Sequence, residues 1–377
     1  MKKLLVVSDP PVAPGYLPRL RFLCDYLVQK GYDVTVLTEE SDPLLFAHTY
    51  PIHTIRMYSG GKFDWFWKTV WTLLTDWHNR VFAKKSLQLS AISQPFDLVL
   101  CTAFSDFPLG AALRIARAQR LPLICDIRDL DEQVDDSRYQ YRHQSRWLMP
   151  FRRLYRSVHI RRRNRVLRAA TAISTISPWH ADFIRRFNPK VEVVYNGYDA
   201  SQFYPADKQA DSFTLTYIGS LFDWQRPALE RVRSIVEDIN QSELRDQQSK
   251  IVFNLHTPQH DPIAHDRLGD AIRRSGVMLV LTSPSTHGML TTKFYEALGC
   301  SKPVLCVPDD QGALAELIDY THSGIATDDA EQIRAFLLRY YQSWQQQGYT
   351  MHPTVHREEF SREAQCEHLE QMIVSCL

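Results

Sequence analysis

The residues whose types and spacing are best suited to chemistry lie between Ser285 and Leu305. A short polar loop containing Gly288 follows a predicted strand and leads into a predicted helix from about Thr291 to Gly299. The start of a helix presents free backbone N–H groups and the positive end of its dipole, so it favours an anion such as phosphate. Lys293 in the first turn opposes this dipole, and a bound anion would explain its presence.

Glu296 lies one turn after Lys293 on the same face of the predicted helix. Its carboxylate could accept hydrogen bonds from sugar hydroxyl groups while Lys293 holds a phosphate. The alternative is a solvated Lys–Glu pair on an exposed helix, three residues apart. The spacing alone favours neither interpretation.

Several functional classes are disfavoured by missing motifs. No G-x-G-x-x-G follows the first predicted strand and no Walker A sequence occurs, which argues against a dinucleotide oxidoreductase and a P-loop NTPase. H-E-x-x-H and G-x-S-x-G are also absent, which argues against a zinc protease and an α/β-hydrolase. The seven cysteines are scattered without a C-x-x-C pair, so we expect a reducing compartment and no metal site.

The elements that must position these residues alternate along the chain. Short β-branched runs alternate with helical patterns, which is typical of parallel sheets in an α/β fold. With 377 residues, we expect two Rossmann-like domains, residues 1–200 and 201–355, and a C-terminal helix in 356–377 that packs back on the first. The first 200 residues carry 29 Lys and Arg against 19 Asp and Glu, a net charge of +10.

Five segments resemble motifs of one known family, in the order that this family has them. The segment Thr291–Leu305, TTKFYEALGCSKPVL, resembles the donor-binding signature of retaining, GT-B-fold glycosyltransferases of the family 4 type. The other four segments are PGYLPRLRFL (14–23), DIRDL (126–130), VYNGYDASQFYP (194–205) and YIGSLFDWQR (217–226). The resemblance implies the GT-B fold, in which two Rossmann-like domains face each other across a cleft.

The resemblance also implies roles for individual donor-site residues. Arg226 and Lys293 would hold a nucleotide diphosphate and stabilise it as a leaving group, and Glu296 would bind the ribose hydroxyl groups. Gly288 stands where many relatives carry a glutamate that grips the donor sugar. The remaining implied donor-binding residues are Gly15, Gly219, Met289, Leu290, Thr291 and Thr292.

On the acceptor side the resemblance implies roles for Asp126, Arg128 and Asp129. Asp126 and Asp129 are the nearest candidates for a general base. Equally, both carboxylates could simply pair with Arg128 and its neighbours. In retaining enzymes the departing diphosphate is thought to accept the proton of the acceptor, so no base is obligatory.

By resemblance, the protein is expected to transfer a sugar from a nucleotide-sugar donor, UDP- or GDP-linked, to a lipid-linked or membrane-associated glycan in bacterial surface-polysaccharide synthesis. Two cations and a helix N-terminus can neutralise the leaving group, so we expect neither a metal nor a cofactor. A nucleotide-sugar epimerase of the same fold and a non-catalytic glycan- or partner-binding scaffold remain alternatives.

Residues 138–168 contain eleven arginines and no acidic residue, interleaved with apolar side chains. This pattern is typical of a helix at an anionic membrane surface. The alternatives are a solvated helix face and a nucleic-acid surface, and no nucleic-acid-binding module accompanies the latter. We expect no nucleic-acid partner and a peripheral protein on the cytoplasmic face of the plasma membrane. The predicted membrane contacts are Arg152, Arg153, Arg156, Arg161, Arg162, Arg163 and Arg165.

A second apolar segment, Phe63–Phe82, holds four of the eight tryptophans. Its apolar residues recur at helical spacing and predict one stripe. Such stripes usually pack into a core, and the alternative is a surface for a lipid-linked acceptor. The stripe residues are Phe63, Trp67, Val70, Leu74, Trp77 and Val81.

Overall fold

A computed structural model describes residues 1–9, 18–40, 48–58, 61–103, 106–133, 149–283, 285–286 and 288–377. The chain forms two compact units. The first unit consists of Met1–Tyr195 together with Cys366–Leu377, and the second of Asn196–Gln365. The division between the units thus lies at Tyr195, just before the predicted boundary at residue 200.

The first unit is built on a parallel sheet of seven strands. These strands are β1 (Lys3–Ser8), β2 (Asp33–Glu39), β3 (Ile52–Ile55), β4 (Leu98–Ala103), β5 (Leu123–Ile127), β6 (Ala172–Thr175) and β7 (Val191–Val193). Their order in the sheet is β3-β2-β1-β4-β5-β6-β7. The helices are α1 (Pro18–Gln29), α2 (Lys62–Thr75), α3 (Trp77–Leu87), α4 (Leu109–Gln119), α5 (Met149–Ala169) and α6 (Pro178–Arg185). The central strands β4 and β5 are buried along their whole length, as expected of parallel strands covered on both faces.

The second unit contains a parallel sheet of five strands. These are β8 (Thr214–Ile218), β9 (Val252–His256), β10 (Val277–Leu281), β11 (Val304–Val307) and β12 (Gly324–Ala326). Their order is β12-β11-β10-β8-β9. The helices are α7 (Arg226–Gln241), α8 (Leu268–Arg274), α9 (Thr292–Gly299), α10 (Ala313–Tyr320) and α11 (Ala330–Gln347), and α12 (Arg362–Cys376) begins in this unit. These two sheets and their helices confirm the predicted α/β class.

The last helix, α12, belongs to both units, because its first residues lie in the second unit and the rest in the first. Leu369, Met372 and Ile373 of α12 are buried in one apolar cluster with Leu23 and Leu27 of α1. The helix therefore completes the core on one face of the first sheet. Among the described helices, none has the length and hydropathy needed to cross a membrane.

The aromatic segment forms two helices and not one. Asp76 has a left-handed backbone (φ 58°) that ends α2, and α3 begins at Trp77. Trp77 and Val81 pack against the core of the first unit, as predicted for the stripe. The core interpretation is wrong for α2. The break at Asp76 changes the direction of the chain, so that apolar positions of α2 do not pack into that core. The exposed positions are Phe63, Trp67 and Leu74.

In the sheet of the second unit the strand order reverses between β8 and β10. From β8 the chain adds β9 on one side and then β10, β11 and β12 on the other. Ligands of open parallel sheets bind at the carboxyl ends of the strands at such a point. Gly219 directly follows β8, and the loop that follows β10 leads to α9. The topology thus brings two of the sequence motifs to one edge of the sheet.

Candidate functional site

The first turn of α9 is held by a side-chain cap and a buried apolar face. Thr291 has an extended backbone, and its hydroxyl accepts a hydrogen bond of 3.3 Å from the backbone N–H of Lys293. Phe294 and Tyr295 are fully buried and anchor the helix in the second unit. Lys293 and Glu296 are half-buried, and Thr292 is exposed. The start of the helix therefore brings together the positive end of the helix dipole, a cation and a carboxylate.

The side chain of Lys293 crosses directly over Gly219, where the absence of a Cβ atom leaves space for it. A Cβ atom at position 219 would lie 2.5 Å from Cε and 3.0 Å from Nζ of Lys293. Gly219 also has a φ of +124°, a conformation that other residues rarely adopt. The ammonium group lies 5.4 Å from the centre of the Tyr217 ring, within the range of a cation–π contact. The backbone after β8 thus fixes the path of the lysine side chain.

The charges of Lys293 and Glu296 are poorly compensated. Burial lowers the pKa of Lys293, an effect that Glu296 partly opposes. Burial raises the pKa of Glu296 to about 7, although Lys293 and Arg362 act to lower it. Within the part of the chain that the structure describes, neither side chain has a hydrogen-bond or ion-pair partner. A ligand that bound both groups would therefore offset the free-energy cost of removing these two charges from water.

The loop between β8 and α7 is fixed by two buried side chains. The Tyr217 hydroxyl donates a hydrogen bond of 2.7 Å to the carbonyl of Ser220. The Gln225 amide donates to the carbonyl of Leu281, at the end of β10, at 2.9 Å. These bonds connect the two strand ends at which the candidate site lies.

Arg226 is placed differently from Lys293. It begins α7, and about 62% of its side chain is exposed. Its Nε atom lies 3.3 Å from the Asp223 carboxylate. The structure therefore pairs Arg226 with a neighbour in its own loop and not with α9. A role for Arg226 at the diphosphate requires that it exchange this partner for the ligand.

The predicted loop before α9 lies next to the helix start. Gly288 is buried and has a φ of +60°, so it turns the loop in a conformation that suits glycine. Leu290 is buried and Met289 is half-buried. These residues orient the backbone that leads to Thr291. Gly15, the other predicted glycine of a donor-binding loop, lies outside the described residues.

In the first unit, Asp126 is fully engaged in a buried network. Its carboxylate accepts two hydrogen bonds from Arg19, at 2.9 and 3.3 Å, one from Ser174 at 2.8 Å and one from Thr102 at 3.1 Å. Burial alone would raise the pKa of Asp126, but Arg19 and Ser174 hold it below its usual value. Such a carboxylate is a weak proton acceptor, so the geometry favours the structural alternative for Asp126.

Asp129 and Arg128 lie just beyond the end of β5. Arg128 is buried and donates a hydrogen bond of 2.7 Å to Asp9. Asp129 is half-buried, and its carboxylate accepts a long hydrogen bond of 3.4 Å from the Gln133 amide. Burial raises the pKa of Asp129, against the opposing effects of Gln133 and Arg128. Of the two predicted bases, Asp129 is the one better suited to accept a proton.

Three of the arginines predicted to contact a membrane are used inside the first unit. Arg163 is 2% exposed and forms two hydrogen bonds with Glu132, at 2.9 and 2.6 Å. Arg162 donates to the carbonyls at the end of α2, and Arg156 donates to the Asp131 carbonyl. The predicted membrane contact is therefore wrong for Arg163, because this residue lies on the inner face of α5 and pairs there with Glu132.

The other predicted arginines of α5 have different surroundings. Arg153, Arg161 and Arg165 are exposed, and Arg152 is half-buried. Arg138, Arg142 and Arg146, which precede α5 in the segment 138–168, lie outside the described residues.

Asp126→Asn tests whether Asp126 is structural. Removing the charge breaks the ion pair between Asp126 and the half-buried Arg19, which still donates to the Tyr195 carbonyl, and breaking a buried pair typically costs about 3–5 kcal/mol. Because the folded-state pKa is depressed, this stability is present above the unfolded pKa of about 4 and is lost as the pH falls through the folded value. Urea unfolding should show a large difference from the wild type at pH 7 that shrinks by pH 3. The control is Asp25→Asn, which breaks only an exposed pair with Arg21. A variant of normal stability would contradict this role.

Glu296→Gln tests whether burial of the charged Glu296 carboxylate destabilises the ligand-free protein. A pKa raised from 4.5 to about 7 means that the folded protein binds more protons between these values, so the wild type loses stability as the pH rises through them. We expect the ligand-free variant to be more stable at pH 8, by on the order of 2 kcal/mol, with the gain disappearing near pH 5. Thermal unfolding at both pH values measures this. Glu230→Gln, at an exposed position of α7, is the control. Destabilisation at pH 8 would indicate a stabilising Lys–Glu pair instead.

Comparison with known families agrees with the motifs. Residues 19–202 match the model of Glycosyltransferase Family 4. This match covers most of the first unit, including the segment that carries Asp126 and Asp129. No curated relative matches the chain.

Solved structures of low sequence identity share the fold over the whole chain. Sucrose-phosphate synthase from Thermosynechococcus elongatus is 16% identical, with a TM-score of 0.60 over 100% of this chain and 99% of that one. Anabaena HepE, solved with UDP and glucose, is 13% identical, with a TM-score of 0.59 over all of both chains. A putative UDP-N-acetylglucosamine 2-epimerase from Listeria monocytogenes is 13% identical, with a TM-score of 0.54 over 99% and 96% of the two chains. Together with the family match over residues 19–202, they confirm the predicted GT-B fold and the predicted resemblance to glycosyltransferases of the family 4 type.

Proposed function

We propose that the protein is a retaining transferase that moves a sugar from a UDP- or GDP-linked donor to a lipid-linked or membrane-associated glycan. Bacterial surface-polysaccharide synthesis, at the cytoplasmic face of the plasma membrane, is the proposed setting. One observation carries the proposal: Lys293 and Glu296 are half-buried at the start of α9, and among the described residues neither side chain has a hydrogen-bond or ion-pair partner. A nucleotide diphosphate offers phosphate oxygens for the first and ribose hydroxyl groups for the second.

The chemistry follows from these groups. When the bond between the anomeric carbon and the diphosphate oxygen breaks, negative charge grows on the diphosphate. The Lys293 ammonium and the positive dipole end of α9 stabilise this charge, and a half-buried site makes them more effective than in water. Arg226 adds a second cation once it leaves Asp223. Charge neutralisation by protein groups is why we propose that no metal is required.

The acceptor is proposed to bind near Arg128 and Asp129. In a retaining transfer the acceptor hydroxyl gives its proton to the departing diphosphate, so Asp129 would orient the hydroxyl and need not remove its proton. Asp126 would act indirectly, by holding Arg19 and the strands beneath the site. Anabaena HepE was solved with UDP and glucose, which supports a UDP-sugar as the first donor to test.

A GT-B epimerase is the second candidate, supported by the likeness to the putative epimerase from Listeria monocytogenes. Such an enzyme converts its nucleotide sugar without an acceptor. Incubation with UDP- and GDP-sugars, with and without a lipid-linked glycan extract, separates the two. We expect transfer only with the extract and NMR signals of a product with the donor's anomeric configuration. Isomerised nucleotide sugar in the absence of acceptor would instead indicate an epimerase.

Lys293→Met tests the donor site itself. The variant keeps the length of the side chain over Gly219 but removes its charge. Loss of a charged hydrogen bond costs about 1.5–3 kcal/mol, so we expect UDP affinity to fall about 10- to 100-fold. Calorimetric titration with UDP and GDP, in the presence of EDTA, measures this.

The matched control is Lys208→Met, which removes a half-buried lysine of the same unit that pairs with Asp270 at 3.3 Å. Its nucleotide affinity should equal that of the wild type. Equal affinities for all three proteins would overturn the assignment of Lys293. A wild type that binds no nucleotide at all would favour the non-catalytic scaffold.

A further inference from the structure

The outer face of α2 carries large apolar side chains that nothing covers among the described residues. Five of them are 52–83% exposed, and their spacing places them on one face of the helix. We call this set the α2 stripe. It consists of Phe63, Phe66, Trp67, Trp71 and Leu74. Single exposed apolar residues are common, but a contiguous set of this size marks an interaction surface.

The opposite face of α2 is attached firmly to the first unit. The Lys68 ammonium donates hydrogen bonds to the Met57 carbonyl at 2.9 Å and to the Asp64 carboxylate at 2.6 Å. Thr72 is buried, and its carbonyl accepts a hydrogen bond of 2.6 Å from Arg162. The outward orientation of the α2 stripe is therefore fixed by contacts of the inner face.

Basic residues lie beside the α2 stripe. Arg162 connects α5 to the end of α2, and Arg165, three residues later, lies on a neighbouring side of the same helix. Arg153, Arg161 and Arg165 are exposed, and we call them the α5 basic face. The exposed apolar residues Phe151 and Leu154 lie at the start of α5.

The acidic groups nearby are neutralised. Asp64, the acidic residue of α2, pairs with Lys68, and Asp76 at its end pairs with Arg114 at 2.9 Å. Residues 138–168 contain no Asp or Glu. Within the described ranges, the connected helices α2 and α5 thus combine exposed apolar side chains with exposed arginines that no acidic side chain pairs with.

We infer that the α2 stripe inserts into the interfacial layer of an anionic lipid bilayer, with the α5 basic face bound to lipid phosphates. Tryptophan and phenylalanine at one face of a helix, with arginines alongside, suit the boundary between lipid headgroups and acyl chains. A second copy of the chain fits less well, because two such surfaces would bring their basic faces together. The inference rests on the proposed function for the acceptor, and it assigns the surface by which the enzyme reaches it.

Sedimentation with vesicles tests the inference. Phosphatidylcholine vesicles with about 30% phosphatidylglycerol should bind the wild type, and neutral vesicles should bind it at least 10-fold more weakly. Trp67→Glu combined with Trp71→Glu should reduce binding to the anionic vesicles at least 10-fold. The matched control introduces two glutamates at exposed apolar positions elsewhere in the first unit, Val374 and Leu377, and should bind like the wild type.

A charge series tests the α5 basic face. Glutamine at Arg153, Arg161 and Arg165 should weaken binding to anionic vesicles at least 10-fold. The control removes three exposed basic residues elsewhere in the first unit, Arg117, Arg186 and Lys190, and should have a smaller effect. Equal effects of the two sets would show that only net charge matters and would overturn the assignment of α5.

Other outcomes also decide the question. Unchanged binding of the Trp67 and Trp71 variant would overturn the role of the α2 stripe. A wild-type dimer that becomes monomeric in this variant, without vesicle binding by either, would identify a second copy as the occupant. UDP affinity of the variant serves as the test of folding and should equal that of the wild type. If the wild type did not bind UDP, the proposed function would be contradicted, but the vesicle result would still stand. The two proposals can therefore fail independently.

Discussion

The half-burial of Lys293 and Glu296 at the start of α9 is the constraint on which the proposed chemistry depends. Folding removes both side chains from much of their water, and it supplies neither with a hydrogen-bond partner among the described residues. The pKa of Glu296 rises to about 7 as a result. Such an arrangement costs stability in the free protein. It becomes favourable when one ligand presents an anion and hydroxyl groups together.

The surrounding structure holds this pair in place. The reversal of strand order between β8 and β10 brings the turn at Gly219 and the loop before α9 to the same edge of the sheet. Gly219 leaves the space through which Lys293 passes, and Tyr217 lies beneath the ammonium group. In the first unit, by contrast, Asp126 lies in a fully hydrogen-bonded network and connects α1 to neighbouring strands of the sheet. There the charge is fully paired, which suits a structural role.

Much of this was predictable from sequence, and the exceptions have physical causes. Strands such as β4 and β5 are continuous apolar runs that the sequence pattern identifies, whereas β3 and β12 are short and partly exposed and give no such pattern. The partner of Asp126 is Arg19, 107 positions away, which no local spacing reveals. A run of arginines does not show which face of its helix turns inward, so the burial of Arg163 was not foreseen. The left-handed residue at Asp76 likewise broke a stripe that looked continuous.

A crystal structure of the complex with UDP tests the central claim most directly. We expect a diphosphate oxygen within about 3.0 Å of Lys293 Nζ and a ribose hydroxyl within about 2.8 Å of the Glu296 carboxylate. Nucleotide bound elsewhere, with Lys293 and Glu296 still without a partner, would contradict the account.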